Sequence, residues 1–339
     1  MFKGFKTLGF GSAVLLTGVL LAGCPPKKEA IKAPAPTDTA SKVYVPPGQH
    51  DEFYVFFSGG FSGQVSVYGI PSGRIIKVIK VFSQDPETGY GYSPETKPFL
   101  MTSHGLIPWD DTHHPWLSQT NGEHDGRWLF INANNVPRIA RVDLSTFETI
   151  EVIEIPNSGG NHPSPFGTEN TEYVVASTRF SVPVPQRDVP VDSYKENFKG
   201  TMSFIKANEP GKMDIAFQVL MPGFNYDLAR CGRGPSHGWC FFSSYNSERA
   251  HTLLEVNASQ KDKDFTAAIN WKRAEECVAQ GKYKELPVTY YHNFYDEEKN
   301  MAVSEVRKSV KLIDPKECPG VAYLIPTPKS PHGMDVSDD

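Results

Sequence analysis

The chain has 339 residues, of which 39% are hydrophobic and 22% are charged, and its formal net charge at pH 7 is -5. This is the composition of an ordinary globular protein, long enough for one large domain or two smaller ones. It excludes a strongly basic nucleic-acid-binding surface and an acidic disordered tail. Glycine and proline number 28 each, and 12% of the residues are aromatic, which favours many short strands joined by turns.

The N-terminus has the pattern of an export signal. Two lysines precede an apolar run over residues 12–22, which is too short for a good membrane span. The run ends in Leu-Ala-Gly-Cys, a lipobox, so we expect residues 1–23 to be a lipoprotein signal peptide and Cys24 to carry the lipid. The folded domain is then expected on the periplasmic side, anchored to a membrane. The alternative is an ordinary secretory signal in which Cys24 is incidental.

The next segment has no apolar periodicity. Residues 24–48 are rich in proline, lysine, alanine and threonine, which predicts a flexible tether. Residues 49–339 are therefore the predicted domain.

Four more cysteines suit disulfide formation in an oxidising compartment. Cys231 and Cys240 are close enough in sequence to close a small loop, and we expect them to pair. A bond between Cys277 and Cys318 is the weaker hypothesis.

The domain alternates strand-like runs with turn signals, and the same order of strands recurs. This repetition predicts an all-β fold of antiparallel meanders, as in a β-propeller, with a sandwich as the alternative. One short helix is expected over residues 271–280. The predicted strands cover residues 52–58, 64–69, 74–82, 127–132, 138–143, 148–156, 172–178 and 239–245.

Three histidine-containing segments rich in proline or glycine border these strands. They contain the pair His113-His114, His162 and His332. Imidazole is a good ligand for copper, zinc, iron and nickel. Successive side chains of a strand point to opposite faces, so we expect a turn after Pro115 to bring the paired rings together. Surface histidines without a function are the alternative interpretation.

An acidic residue lies close to the histidine pair in sequence. Asp111 is expected to accept the outer N–H of one ring and fix its tautomer.

A set of multi-residue blocks runs along the sequence, at residues 111–115, 125–132, 138–143, 153–157, 245–248, 270–276 and 325–333. These blocks resemble the N-terminal propeller of the nitrous oxide reductase family, in the same order and with similar spacing over nearly all of the mature chain. The lipobox is similar to the Sec-exported, lipoprotein-type branch of that family. The resemblance implies a seven-bladed β-propeller, incomplete in this chain, with the C-terminal cupredoxin domain missing.

The resemblance also implies a metal site and a reaction. His113, His114, His162 and His332 correspond to four of the seven histidine ligands of a tetranuclear copper-sulfide cluster (CuZ), which reduces N2O to N2 and water in the last step of denitrification. The family has a dinuclear copper site (CuA) in the cupredoxin domain, is homodimeric, and receives electrons from a donor such as a c-type cytochrome or a cupredoxin. We expect the 339-residue chain to be inactive alone.

The family also binds calcium. Tyr245, Glu248 and the carbonyl of Val256 match its ligand block, and Asp262 is expected to supply a carboxylate. Counting back from Asn270 favours Asp264 instead. The asparagine that the family has before its Pro-His-Gly motif is replaced here by Ser330. Mixed oxygen ligands of this type suit Ca²⁺.

Two other functions fit parts of the sequence. One is a non-catalytic, lipid-anchored propeller that binds a partner on its face. The other is a zinc hydrolase, for which Glu123 beside His124 is the nearest candidate base. His237, in Gly-Pro-Ser-His-Gly, lies where the family has no matching ligand, so we do not assign it to the cluster.

Overall fold

A computed structural model describes residues 39–162, 165–208, 212–223, 225–245, 264–327 and 331–337. Residues 1–42 and 43–339 are separate compact units. In the first unit, the described residues form the short helix α1 (Thr39–Lys42), within the predicted tether. No helix in these ranges combines the length and apolar composition needed to cross a bilayer.

Strands are the main regular structure of the second unit, as predicted. Among the described residues of this unit, the helices are α2 (Tyr194–Asn197) and α3 (Trp271–Ala279), with 3-10 turns at Lys97–Leu100, Val191–Ser193 and Gly234–Ser236. The strands of the N-terminal half are β1 (Phe53–Ser58), β2 (Gln64–Ile70), β3 (Ile75–Lys80), β4 (Met101–Thr102), β5 (Gly105–Leu106), β6 (Thr112–Thr120), β7 (Glu123–Ala133), β8 (Arg138–Asp143), β9 (Glu148–Glu154) and β10 (Phe166–Gly167). Those that follow are β11 (Tyr173–Ser177), β12 (Val182–Pro183), β13 (Phe198–Lys206), β14 (Asp214–Met221), β15 (Asn225–Cys231), β16 (Trp239–Tyr245), β17 (Phe265–Asn270), β18 (Lys284–Asp296), β19 (Met301–Ile313) and β20 (Ala322–Pro326).

The main strands form four antiparallel meanders in chain order. Meander 1 contains β1–β3, and meander 2 contains β6–β9. Meander 3 contains β10, β11, β13 and β14, and meander 4 contains β15, β16, β17 and β20. This repeated unit is the one expected of propeller blades.

Each meander packs its face against the next one. Val65 and Val67 of meander 1 share a core with Leu129 and Ile131 of meander 2. The intervening residue, Phe130, points the other way and joins a second core, because successive side chains of a strand alternate between the faces of a sheet. Meander 2 is therefore buried on both faces.

The same alternation continues into meanders 3 and 4. Val174 lies in the core shared with meander 2, whereas Val175 lies in the core shared with Phe242 and Ile269 of meander 4. Stacked sheets of this kind place their first strands side by side. Contacts run from β1 to β6, from β6 to β10 and from β10 to β15, so the first strands surround a common axis.

A long hairpin that the sequence did not predict leaves meander 4 between β17 and β20. Its strands, β18 and β19, bridge the outer strands of two other meanders: β18 pairs with β9, and β19 pairs in parallel with β14. The Cys277–Cys318 disulfide closes the base of this excursion. The Cys231–Cys240 disulfide links β15 to β16.

A buried ion pair fixes the segment that leads into β6. Asp110 lies 2.9 Å from the guanidinium of Arg138, and both side chains are almost completely buried. The Asp110 carboxylate also accepts the backbone N–H groups of Asn135 and Val136. One carboxylate therefore joins the start of β6 to the turn between β7 and β8.

We predict that Asp110→Ala destabilises the protein by about 3–5 kcal/mol, because it leaves the Arg138 charge buried and uncompensated. Chemical denaturation would measure the loss. Lys299→Ala is the matched control: it breaks the exposed Lys299–Asp296 pair, which should cost no more than about 1 kcal/mol. Equal losses in the two variants would contradict the prediction.

Candidate metal centre

The histidine pair lies on a strand, not in a loop as the sequence suggested. In the pairing of β6 with β7, Thr112 is opposite Ala133 and Pro115 is opposite Ile131, with a register shift between them. His113 and His114 therefore lie opposite a single residue of β7. This arrangement is a β-bulge.

The bulge explains how adjacent side chains come together. In a regular strand the two rings would point to opposite faces, but here their centroids are 4.7 Å apart. The predicted turn after Pro115 is wrong, because β6 continues to Thr120. The extra residue before Pro115 turns both rings to one side instead.

His162 joins the pair from the loop that follows β9. Its ring centroid is 4.4 Å from that of His113 and 5.0 Å from that of His114. The possible ligand atoms of the three residues all lie within 4.8 Å of one another. Meander 2 therefore supplies the whole triad, from β6 and from the loop after its last strand.

A carboxylate that the sequence analysis missed lies behind His162. Asp227 of β15 is 2% exposed, and its Oδ1 is 2.5 Å from His162 Nδ1. Nothing in the sequence marks Asp227, because β15 also contains Asn225 and Arg230 and its acidic residue does not stand out. Its contact with His162 is recognised only in the folded structure, where meander 4 packs beside the axis.

His332 is near this group but outside the triad. Its Nε2 lies 3.7 Å from Asp227 Oδ2, and its side chain is 70% exposed. An ion pair between Asp335 and Arg230 of β15 connects the segment containing His332 to this strand. Asp227 thus lies between His162 and His332.

Asp111 has the place expected of it, beside His113. Its Oδ2 is 3.4 Å from His113 Nδ1 and accepts the side-chain amide of Asn134 at 3.1 Å. With Asp227 on His162, two of the three rings have a carboxylate at Nδ1. A proton held at Nδ1 leaves Nε2 with its lone pair.

Burial favours the neutral form of His113 and His114. It lowers the pKa of His114 to about 4, with further contributions from His113 and His162. It also lowers the pKa of His113, again helped by His162 and partly opposed by Asp111. Neutral imidazoles at pH 7 are the form that binds metal ions. The buried Nε2 of His114 has no hydrogen-bond partner within the described ranges, which fits a ligand atom.

Other candidate residues lie elsewhere. His237 Nε2 lies 2.9 Å from a carboxylate oxygen of Glu172, consistent with leaving it out of the cluster. Glu123 and His124 lie at the other end of β6, beside its hairpin turn, so they supply no base to the triad.

The predicted lipid and calcium sites are largely outside the described ranges. Cys24, Glu248, Val256 and Asp262 lie in the undescribed segments. Tyr245 is the last residue of β16. Asp264, the alternative calcium ligand, is described and is 4% exposed.

No family model matches the chain. A solved chain of Kuenenia stuttgartiensis hydrazine synthase aligns with 75% of this chain and 80% of its own length, at 12% identity. Its TM-score of 0.36 is too low to support an argument.

Curated relatives give a clear result. The chain is 31% identical to the nitrous-oxide reductase of Pseudomonas fluorescens and 30% identical to that of Stutzerimonas stutzeri, over 99% of its own length in both cases. A third, from Cupriavidus necator, is 28% identical over 98%. The chain spans about half the length of these relatives: 49%, 50% and 51%. By sequence, therefore, this chain is a relative of the nitrous-oxide reductases along almost its entire length.

Proposed function

We propose that His113, His114, His162 and His332 bind copper, and that the chain is part of an enzyme that reduces N2O to N2 and water. The observation that carries this proposal is the convergence of three histidines from two separate segments, with ligand atoms within 4.8 Å of one another. The names of the relatives supply the reaction. Because the chain spans only half of their length, the activity is proposed for the complete protein.

The donor set favours copper over the zinc-hydrolase alternative. Three imidazole nitrogens suit copper well, and zinc also accepts them. A zinc hydrolase additionally needs a carboxylate general base beside an open position. The two carboxylates at the triad, Asp111 and Asp227, instead lie against the Nδ1 atoms of His113 and His162. Their position suits ring orientation better than base catalysis.

The residues of the chain have distinct tasks in this proposal. Asp227 and Asp111 hold protons at Nδ1 of His162 and His113, so that Nε2 of each ring keeps the lone pair that a metal ion would accept. Burial keeps His114 neutral for the same purpose. Histidine-bound copper (a tetranuclear copper-sulfide cluster in the proposal) would supply the two electrons that reduction of N2O requires.

Calcium belongs to the same proposal, with Tyr245, Glu248, the Val256 carbonyl and one aspartate as ligands. Strand pairing supports Asp264 as that aspartate. Ser243 of β16 pairs with Thr266 of β17, and continuing that register places Asp264 opposite Tyr245.

The cellular setting is also proposed. The protein is exported, is anchored to a membrane through lipidated Cys24, and forms a homodimer that takes electrons from a c-type cytochrome or a cupredoxin. Mass spectrometry of the mature N-terminus would test the anchor. An N-terminus at a residue other than Cys24 would contradict it.

We predict that the double variant His113→Ala/His114→Ala lowers Cu(II) affinity by at least about 100-fold, because it removes two of three converging ligands. Loss of an outer-shell partner alone lowers metal affinity by about 10–100-fold. Isothermal titration of the metal-free chain with Cu(II) would measure this. His124→Ala is the matched control, since His124 is exposed on β7 and should not change the affinity. Unchanged affinity in the double variant would refute the copper site. In the complete protein, the same double variant should abolish viologen-linked consumption of N2O.

We also predict that Asp227→Asn weakens Cu(II) binding by about 10–100-fold, because a neutral amide is a poorer acceptor for the Nδ1 proton of His162. Glu172→Gln is the control: it makes the same change next to His237, which is not in the triad. The same titration compares the two variants. An affinity loss in Glu172→Gln as large as that in Asp227→Asn would show that the effect is not specific to the triad.

A further inference from the structure

The bulge in β6 leaves a backbone donor without its normal partner in the strand ladder. Because His113 and His114 together stand opposite the single residue Asn132, one extra N–H falls outside the regular pattern. That donor belongs to His114, and it bonds the side-chain Oδ1 of Asn132 at 2.7 Å. A side chain of β7 thus replaces the missing ladder bond.

The other end of the same side chain reaches the loop that contains His162. Asn132 Nδ2 donates to the carbonyl oxygen of Asn161 and lies 3.4 Å from that of His162. The orientation of the amide is fixed by these partners: reversing it would set Oδ1 against two carbonyl oxygens and the NH2 group against an N–H. One amide therefore joins the backbones of His114 and His162.

Because the Asn132 side chain is buried, its hydrogen bonds are difficult to replace. Asn132 is completely buried, so no bulk water can substitute for its acceptor or its donors. Leaving either the His114 N–H or the Asn161 carbonyl without a partner would carry a desolvation cost. The surrounding backbone would then have to move, and the two histidine rings would move with it.

We infer that Asn132 is a positioning residue that sets the separation between the His113–His114 pair and His162, and with it the geometry offered to a metal ion. This inference rests on the proposed copper function of the triad. The hydrogen bonds of Asn132 go to backbone atoms of His114, Asn161 and His162, so its effect on the rings is transmitted through the backbone. It is distinct from Asp227 and Asp111, which orient the rings through their nitrogen atoms.

The test compares two substitutions with a control in the full 339-residue chain. Asn132→Asp keeps the size and the acceptor but loses the two donors, and Asn132→Ser is too short to span both segments and adds no buried charge. Asn293→Asp is the matched control. Asn293 is also buried, and it donates to the carbonyl of Met101 and accepts from Ser304 in the β18–β19 hairpin.

Each protein is titrated with Cu(II), the electron paramagnetic resonance spectrum of the bound ion is recorded, and the melting temperature is measured. We expect both Asn132 variants to lose about 10–100-fold in Cu(II) affinity, the range seen when a partner of a ligand is removed. We also expect their copper hyperfine splitting to differ from wild type. Asn293→Asp should lower the melting temperature without changing the affinity or the spectrum. If Asn132→Asp does not fold, the Asn132→Ser variant decides the comparison.

The outcomes separate this inference from the proposed function. Wild-type affinity and spectrum in the Asn132 variants would overturn the positioning role and leave the copper site standing. The same loss in Asn293→Asp would overturn it too, because the effect would then follow from destabilisation alone. Absence of Cu(II) binding to the wild-type chain would overturn the proposed function and, with it, the basis of this inference.

Discussion

Burial of both faces of the middle sheets is the constraint on which the rest of this structure depends. Along β7, Leu129 and Ile131 face one neighbouring sheet and Phe130 faces the other. A strand of this kind must be apolar at consecutive positions and must have a sheet on each side. Stacking of the meanders follows, and the first strands of successive meanders are brought around one axis.

That stacking decides where polar groups can lie. The triad is near the axis, where β6 begins and where the loop after β9 returns. Asp227 reaches it from β15, in a different meander. Because the site is largely buried, a charged imidazole there is disfavoured, as the lowered pKa of His114 records. The same burial that stabilises the fold therefore leaves imidazole lone pairs available for a metal ion.

The polar residues around the site have different structural roles. Asp110 and Arg138 form a buried pair that fixes the backbone entering β6. Asn132 joins the backbones of the two ligand-bearing segments, and two carboxylates lie against ring nitrogens. A non-catalytic propeller that bound a partner on its face would have little use for partly buried histidines whose ligand atoms converge. The arrangement favours the metal-binding proposal over that alternative for this reason.

The sequence by itself determined the all-β class, the repeated meanders, the helix beginning at Trp271 and the choice of His113, His114 and His162 as candidate ligands. These features follow from local patterns: alternation of apolar residues, turn residues, and imidazole beside proline and glycine. The multi-residue blocks also pointed to the correct relatives.

Tertiary structure decided what depends on residues far apart in sequence. The bulge in β6 is a property of its pairing with β7, so the sequence suggested a loop and a turn where a strand continues. Asp227 and Asn132 look like ordinary polar residues of strands until the packing of the sheets brings them to the histidines. The place where the β18–β19 hairpin docks could not be predicted locally, because its partners, β9 and β14, lie more than sixty residues earlier in the chain. Local patterns specify which residues form strands, whereas the register and the neighbours of those strands are set by packing across the whole domain.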